Sequence, residues 1–403
     1  MPTASQPRPE DIQTITTTAE LAAFCDLAKA QPYVTLDTEF LRERTYYSKL
    51  CLIQAALPPA SGAKAEGGRA VLIDPIVGTD LSLEPLYDLF RHKATVKVFH
   101  AARQDLEIFY HDAGVLPDPL FDTQIAAMVC GFGEQVGYET LVKKIARQPL
   151  DKSSRFTDWS RRPLSEEQLH YAVSDVTHLR EVFAALDADL RKRDRSDWVS
   201  EEMEILTSPK TYDFHPERAW ERLKTRVRKP RELAVLIEVA AWREQEAQSR
   251  DVPRSRVLKD DAVGDIATHA PTSLEKLGNL RSLPKGFERS KWGADIIAAV
   301  QRGLARDPAT LPKLEKPRNN SNGAATVELL KVLLRMTSER HGVASKVIAT
   351  VDDLEQIAAS DQAEVGALHG WRRELFGEAA LKLKHGQLAL AIDKGRVVRV
   401  DRG

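Results

Sequence analysis

The sequence lacks the features of a membrane protein or of a disulfide-bonded secreted protein. Only three of its 403 residues are cysteines, and none of them forms a CxxC pair. A few unpaired cysteines in apolar runs are typical of buried thiols in a reducing cytosol. No apolar run approaches the roughly 20 residues of a membrane span, and the N-terminal MPTASQPRPE has no apolar signal segment. We therefore expect a cytoplasmic protein with no membrane partner.

A strong net charge and the common nucleotide and zinc motifs are also missing. The 58 basic and 59 acidic residues leave a formal net charge of -1, so the overall charge indicates no polyanionic partner, and any basic surface must be local. The sequence contains neither a GxxxxGK[ST] loop nor an HExxH pair. These absences argue against a P-loop nucleotidase and a zinc metalloprotease, and we expect no nucleotide cofactor.

The first half of the chain has the pattern of an α/β domain. Short runs rich in β-forming residues alternate with segments of helical periodicity; these runs are YVTLDTEF, CLIQAAL, AVLID and VKVFH. The Gly/Ala/Pro-rich stretch 58–68 between two of the runs predicts a hairpin connection. We therefore expect a mixed sheet flanked by helices over residues 1–208.

After Pro209 the strand signals disappear and amphipathic helical segments follow one another. A linker with several prolines and an Asn-Ser-Asn-Gly stretch spans residues 307–323, a composition that favours extended chain. The sequence thus predicts two all-α modules, over residues 209–306 and 324–403. It does not indicate an oligomeric state.

Two carboxylates lie close together at the end of the first predicted strand. Asp37 and Glu39 are two positions apart, so both side chains leave the same face of a pleated strand. Two acids side by side are unfavourable unless a proton or a cation neutralises them, and oxygen ligands favour Mg²⁺ or Mn²⁺. The pair alone is weak evidence, because surface strands often contain it.

Two further elements make a metal site a stronger hypothesis. Asp105 lies early in a predicted helix that directly follows the strand VKVFH, and α/β sheets build sites where strands end and helices begin. Tyr171 and Asp175 are one helical turn apart, on one face of a long predicted helix. A strand-borne DxE, an early helical Asp and a helical YxxxD, in this order, are far more specific together than separately.

These residues and their surroundings resemble the DEDD superfamily of 3′-5′ exonucleases, in the tyrosine subgroup, and within it the ribonuclease D family. The resemblance covers residues 33–180 and includes the strings LDTEFLRERTYYSKLCLIQ, HAARQDLEIF, LFDTQIAAMVCG and LDKSSRFTDWSRRPLSEEQLHYAVSDVTHL. Residues 230–305, and more weakly 325–395, are similar to the helicase-and-ribonuclease-D C-terminal (HRDC) domain. The resemblance implies a ribonuclease H-like exonuclease domain followed by helical nucleic-acid-binding modules.

By motif position, the resemblance also implies roles for individual residues. Asp37, Glu39, Asp105 and Asp175 would hold two divalent cations, Mg²⁺ or Mn²⁺, and Tyr171 would orient the attacking water. Two such ions activate a nucleophile and stabilise the leaving oxygen in phosphodiester hydrolysis. The implied substrate is RNA, with transfer-RNA precursors in the family, and the implied products are nucleoside 5′-monophosphates.

Two other functions stay open at this level. A metal site of this kind does not distinguish ribose from deoxyribose, so a DNA 3′-5′ exonuclease is one alternative. A non-catalytic RNA-binding scaffold is the other, although all five motif positions are intact.

Several residues near the motifs have a structural explanation of their own. Asp122 is better explained as a helix N-cap than as a ligand, and His100 as a packing residue. The basic segment 152–162, with Trp159, either binds phosphate and stacks a base or contains a buried Trp among solvated arginines. The strip RLKTRVRKPR at 222–231 either contacts phosphate or is a solvated helix end.

Overall fold

The computed structural model describes residues 12–59, 68–150, 154–225, 227–312 and 323–402. Most of the predicted hairpin connection and of the predicted linker, with parts of both basic segments, therefore lie outside the described residues. Contacts divide the chain into two units. The first comprises Met1–Glu39, Cys51–Thr211 and Asn319–Gly403, and the second comprises Phe40–Leu50 and Tyr212–Arg318. The domain boundaries derived from the sequence stay a prediction.

The first unit contains a mixed β-sheet. Its strands are β1 (Gln13–Ile15), β2 (Tyr33–Leu41), β3 (Lys49–Ala56), β4 (Ala70–Ile73), β5 (Val96–Phe99) and β6 (Leu120–Asp122). Among the described residues these six strands lie in the order β1-β4-β3-β2-β5-β6. β3 and β4 pair antiparallel, which confirms the predicted hairpin, whereas β5 pairs parallel with both β2 and β6. The predicted mixed sheet is confirmed, and the short strands β1 and β6 were not expected.

Helices surround this sheet. They are α1 (Thr18–Lys29), α2 (Glu84–Arg91), α3 (Arg103–Ala113), α4 (Thr123–Val129), α5 (Tyr138–Ile145), α6 (Glu166–Lys192) and α7 (Ser196–Leu206). The long α6 begins with a capping box, in which the side chains of Ser165 and Gln168 bond each other's backbone N–H groups. This box fixes the start of the helix that contains Tyr171 and Asp175. No helix in the described part of the chain is long and apolar enough to cross a bilayer.

The second unit is a helical module. Its α-helices are α8 (Pro230–Ser249), α9 (Arg254–Val257), α10 (Asp260–His269), α11 (Leu274–Gly278) and α12 (Gly293–Ala305). Its apolar core also includes Tyr46, from the segment that follows the DxE strand. The Tyr46 hydroxyl bonds the fully buried Glu244, which also accepts from Arg254 at 2.5 and 2.6 Å. The backbone N–H groups of Tyr46 and Tyr47 both donate to Asp251 at 3.0 Å. Residues 40–50 are therefore held by helical residues far away in sequence.

The C-terminal part of the first unit is mainly helical but ends in a β-hairpin. Its elements are α13 (Ala324–His341), α14 (Ser345–Ile348), α15 (Val351–Ala359), α16 (Gly370–Arg372), α17 (Glu378–Lys384), β7 (Leu388–Asp393) and β8 (Arg396–Asp401). The expectation of helices alone was wrong at this end. LALAID and RVVRVD flank a two-residue turn in which Lys394 and Gly395 have φ of 46° and 78°, and such turns match the twist of antiparallel strands.

This C-terminal part packs on α4 and α7 within the first unit. The N–H of Ala344 donates to the carbonyl of Met128 at 2.8 Å, and the indoles of Trp198 and Trp371 stack with centroids 4.1 Å apart. Gly131 has φ +85°, and a Cβ there would lie 2.6 Å from the carbonyl oxygen of Gly342. Only glycine permits this conformation and this close approach without strain.

Candidate active site

Strand β2 directs both carboxylates of the DxE motif toward helix α6. Thr35, Asp37 and Glu39 alternate along the strand, so their side chains leave the same face. The Thr35 hydroxyl lies 2.8 Å from the carbonyl oxygen of Val176 in α6. Because Val176 directly follows Asp175, this hydrogen bond sets which part of the helix faces the two acids.

Asp37, Glu39 and Asp175 meet in the folded chain. One carboxylate oxygen from each lies within 4.8 Å of the others. One turn earlier in α6, the phenol of Tyr171 is on the same side of the helix and interacts with the carboxylate of Asp175. The structure therefore brings together four of the residues that the sequence motifs single out, although they come from two distant stretches of chain.

Asp105 lies beside this group and is bonded to its strand. It is buried in the first turn of α3, and its carboxylate accepts a hydrogen bond from Thr38, the residue between Asp37 and Glu39. Thr38 directly follows Asp37, so this bond holds Asp105 next to the strand that supplies the acids, and the charge of Asp37 raises the pKa of Asp105. Asp105 is nevertheless outside the three-acid group whose oxygens lie within 4.8 Å.

The carboxylate of Asp122 stabilises the turn between β5 and α3, the helix that contains Asp105. Between β5 and α3 the backbone passes through Ala101, whose φ of 58° is unfavourable for a residue with a side chain. The carboxylate of Asp122 accepts from the N–H groups of Ala101 and Ala102 at 3.0 and 2.9 Å. It also caps α4 by accepting from Gln124 N–H at 2.7 Å. The predicted N-cap is confirmed, and the same side chain braces the β5–α3 turn.

Burial raises the pKa of each of the four acids, and repulsion from a neighbouring acid adds to this rise for Asp37, Glu39 and Asp105. Burial, followed by the charge of Asp37, raises the pKa of Glu39 to about 10. Burial also raises the pKa of Asp175 to about 7, against the opposing hydrogen bond from Tyr171. Burial, followed by the charge of Asp175, raises the pKa of Asp37 well above its ordinary value. Burial, followed by the charge of Asp37, does the same to the pKa of Asp105. Such a site retains protons at neutral pH, and a cation would displace them.

The chemistry of the donors fits a hard divalent cation. Every candidate ligand atom in the cluster is a carboxylate oxygen, the donor that Mg²⁺ and Mn²⁺ prefer, and no soft sulfur ligand is in the group. Burial, followed by the charge of Asp175, raises the pKa of Tyr171 far above its ordinary value, so its phenol is neutral and available as a hydrogen-bond partner. The arrangement can thus bind cations beside a neutral, oriented hydroxyl group.

The sequence did not indicate Tyr138, which supports the site from α5. Its hydroxyl donates to the backbone carbonyl of Asp175, and its ring centroid lies 5.4 Å from that of His100. The Nδ1 of His100 is 3.0 Å from the Thr123 hydroxyl, in agreement with a packing role. A lone tyrosine at a helix start has no spacing signature, so only the fold reveals its contact with Asp175.

The basic segment before α6 is mostly structural. Trp159 is only 2% exposed, with its ring centroid 5.9 Å from that of Tyr171. Base stacking on Trp159 is therefore wrong, and the buried-Trp alternative is right. Arg162 bonds Asp74 at 2.5 and 2.8 Å and also donates to the carbonyl of Cys51. In the other strip, Arg222 lies 3.4 Å from the buried Glu244.

The sequence matches known families and known proteins over most of its length. Residues 12–191 match the model of a 3′-5′ exonuclease family, and residues 232–300 match the HRDC domain. The ribonuclease D of Nitrobacter hamburgensis is 71% identical over 388 residues, which cover 96% of this chain and 99% of that relative. That of Jannaschia sp. is 52% identical over 388 residues, covering 96% and 98%. This chain belongs to the ribonuclease D family.

A solved structure extends the family match to the fold. Escherichia coli RNase D, described as an exoribonuclease involved in structured RNA processing, is 30% identical, with a TM-score of 0.79 and coverage of 93% of this chain and 99% of its own. The predicted exonuclease fold and family are thus confirmed, and membership of the ribonuclease D family makes the chain a 3′-5′ exoribonuclease. The HRDC match falls within the first predicted helical module.

Proposed function

We propose that this chain shortens RNA from the 3′ end by metal-dependent hydrolysis, using two divalent cations held by Asp37, Glu39, Asp105 and Asp175. The observation that carries the proposal is the gathering of three carboxylates within 4.8 Å, with Asp105 beside them. Repulsion among buried acids is relieved when cations replace their protons. Among hard cations, Mg²⁺ and Mn²⁺ are the preferred candidates.

Each acid has a role that follows from its position. The charge of Asp37 raises the pKa of both Glu39 and Asp105, and that of Asp175 raises the pKa of Asp37, so Asp37 interacts with all three other acids and would bridge the two ions. Glu39 and Asp175 would complete one ligand set, and Asp105 would serve the other, directly or through water. Bound cations supply a water of lowered pKa and stabilisation of the departing 3′ oxygen.

Tyr171 would position the attacking water. Its phenol is neutral and interacts with Asp175 one turn away in α6, so the hydroxyl lies beside the acidic cluster. A neutral phenol is a hydrogen-bond partner for water and a poor general base at pH 7. We assign it to orientation, with a contribution to the rate and little contribution to metal affinity.

The proposed substrates are structured RNAs with a 3′ extension, transfer-RNA precursors among them, and the products are nucleoside 5′-monophosphates. Attack that expels the 3′ oxygen leaves a new 3′-hydroxyl on the shortened chain, so one nucleotide leaves with its 5′-phosphate. The HRDC match supports a module that holds the body of the RNA. Helical modules of mixed charge suit contacts to shape and backbone more than base readout.

The test is digestion of a transfer RNA with a 3′ extension, read at nucleotide resolution. We expect stepwise release of 5′-mononucleotides with Mg²⁺ or Mn²⁺ and none with a chelator. Asp37→Ala should reduce the rate by about a thousandfold or more while RNA binding remains. The matched control is Asp26→Asn, because Asp26 is an exposed acid on α1. Full activity of Asp37→Ala, or activity with the chelator, would refute the proposal. A matched DNA oligomer tests the preference for RNA.

A further inference from the structure

The loop that precedes α6 presents one conspicuously exposed aromatic residue. Phe156 is 90% exposed, whereas Trp159, three residues later, is 2% exposed. The sequence left open whether Trp159 stacks on a base or is buried; it is buried, and Phe156 is the exposed ring of this segment. An isolated exposed apolar residue needs no special explanation by itself, so its surroundings decide whether Phe156 has a function.

The backbone next to Phe156 is firmly anchored. The N–H and the hydroxyl of Thr157 donate to the carbonyl of Ser154 at 3.2 and 2.7 Å, which closes a tight turn around Arg155 and Phe156. Gln168, in the first turn of α6, donates to the Thr157 hydroxyl at 3.0 Å. The turn is thus hydrogen-bonded to the helix that contains Tyr171, so the backbone around Phe156 is held in place although its ring is exposed.

The far end of the loop is anchored as well. Arg162 donates to the carbonyl of Trp159 at 2.8 Å. It also donates two hydrogen bonds to the carboxylate of Asp74, at 2.5 and 2.8 Å. The Trp159 ring packs toward Tyr171. Ser154 and Trp159, on either side of the turn, are buried, whereas Arg155 and Phe156 are exposed.

Arg155 lies against the exposed ring, in a turn that adjoins the acidic site. Its guanidinium carbon lies 5.3 Å from the centroid of the Phe156 ring. The turn lies beside the acidic site: Gln168, which anchors it, is three residues before Tyr171 in α6, and the Trp159 ring centroid is 5.9 Å from that of Tyr171. A cation at the edge of an acidic metal site suits a phosphate, and an exposed ring beside it suits the base of the same nucleotide.

We propose that Phe156 and Arg155 form the subsite for the 3′-terminal nucleotides, with the Phe156 ring stacking on an unpaired base and Arg155 binding the adjacent phosphate. This assignment rests on the proposed function, because it places the RNA 3′ end at the acidic cluster. Such a subsite would bind the 3′-terminal nucleotide whatever its base, since stacking uses the π-face that all four bases share. It also requires the terminal bases to be unpaired before hydrolysis.

The experiment compares an RNA oligomer that has a normal 3′-terminal base with one whose terminal nucleotide is abasic. Binding is measured with Ca²⁺ replacing Mg²⁺, and a gel checks that the oligomers stay intact. We expect the wild type to prefer the normal oligomer by about tenfold. Phe156→Ala should reduce this preference to near unity, and Phe156→Trp should keep it. Phe156→Ala should also raise KM by about tenfold with little change in kcat.

Arg155 is tested by the salt dependence of binding. Arg155→Gln should weaken binding of both oligomers alike and reduce the slope of log affinity against log salt by about one. An unchanged slope would overturn the phosphate contact. Thermal unfolding of each variant is the folding control, and both side chains are exposed enough for us to expect no change.

The outcomes separate this proposal from the proposed function. If Phe156→Ala retains the wild-type preference for the terminal base, or if Phe156→Trp loses it, the stacking assignment is wrong. Neither result would contradict the proposed metal-dependent hydrolysis. If the wild type releases no mononucleotide with any divalent cation, the proposed function fails. The comparison of base and abasic oligomers still decides the stacking assignment in that case, because it measures binding alone.

Discussion

The hydroxyl of Thr35 and the carbonyl oxygen of Val176 are hydrogen-bonded at 2.8 Å across 141 positions of sequence. Thr35 precedes Asp37 by two positions on one face of β2, and Val176 directly follows Asp175 on α6. The bond therefore sets the register between the two elements that supply the acidic cluster. Thr35 is itself fully buried, so solvent does not compete for the bond.

Removing this hydroxyl should disturb catalysis more than folding. Thr35→Val keeps the shape of the side chain but removes the bond to α6 and the 3.2 Å contact with the Ala56 carbonyl, which we expect to cost about 1 kcal/mol of unfolding free energy. Because small displacements of catalytic groups are expensive, kcat should fall by about tenfold. Steady-state kinetics and urea unfolding measure the two effects. Thr207→Val is the control, since that hydroxyl bonds only within its own helix end. Unchanged kcat in Thr35→Val would remove its positioning role.

Asp122 should position Asp105 through the backbone. Asp122→Ala leaves three N–H groups without their acceptor, those of Ala101, Ala102 and Gln124. We expect a loss of about 2 to 4 kcal/mol in unfolding free energy and a lower affinity for the cation that Asp105 serves. Denaturant unfolding and metal titration measure these effects. A variant with lower stability but wild-type metal affinity would limit Asp122 to a capping role.

Tyr46 should protect the segment that follows the DxE strand. Its ring is buried in the helical core, and its hydroxyl bonds Glu244. Tyr46→Ala should lower the unfolding free energy by about 3 kcal/mol and speed tryptic cleavage after Arg44 in the native protein. Tyr46→Phe retains the ring and should lose only about 1 kcal/mol. Equal cleavage rates for Tyr46→Ala and the wild type would show that other contacts hold the segment.

The raised pKa of Asp175 predicts how the stability of the metal-free protein depends on pH. The folded state holds its proton up to a pKa of about 7, against an ordinary value of 3.8. Folding therefore takes up a proton between these values, so stability is highest at the acidic end and falls as pH rises from about 4 to about 7. Urea unfolding in EDTA should show this fall, and Asp175→Asn should reduce it.

A bound cation should reverse that trend. Mg²⁺ replaces the protons of the acidic cluster, so its stabilising effect should be larger at pH 8 than at pH 5.5. The difference in unfolding midpoint with and without Mg²⁺, measured at both pH values, gives the comparison. Equal stabilisation at both pH values would contradict linkage between metal and proton binding at this site.

Strong local patterns made the acidic residues predictable. The two-residue period of a strand places Asp37 and Glu39 on one face, and the helical period places Tyr171 and Asp175 one turn apart. The family resemblance then joined these stretches into one site, and the structure brings them together. The β3–β4 hairpin was also predictable, because a stretch of loop composition separates the two strands.

The remaining features depend on long-range packing that no local pattern records. Trp159 and Phe156 have similar sequence surroundings, and only the fold decides which of them is buried. The contact between Tyr138 and Asp175 joins two helices through a backbone carbonyl, which any residue possesses. The hydrogen bond between Tyr46 and Glu244 joins residues 198 positions apart, so no local pattern predicts it.

The central claim, that these acids hold a pair of catalytic cations, is tested most directly by Mn²⁺ titration followed through the EPR signal of free Mn²⁺. The account predicts two ions per wild-type chain, fewer in Asp37→Asn, and a parallel loss of RNA hydrolysis in that variant. Wild-type stoichiometry and affinity in Asp37→Asn, or RNA hydrolysis by a wild type that binds no Mn²⁺, would contradict it.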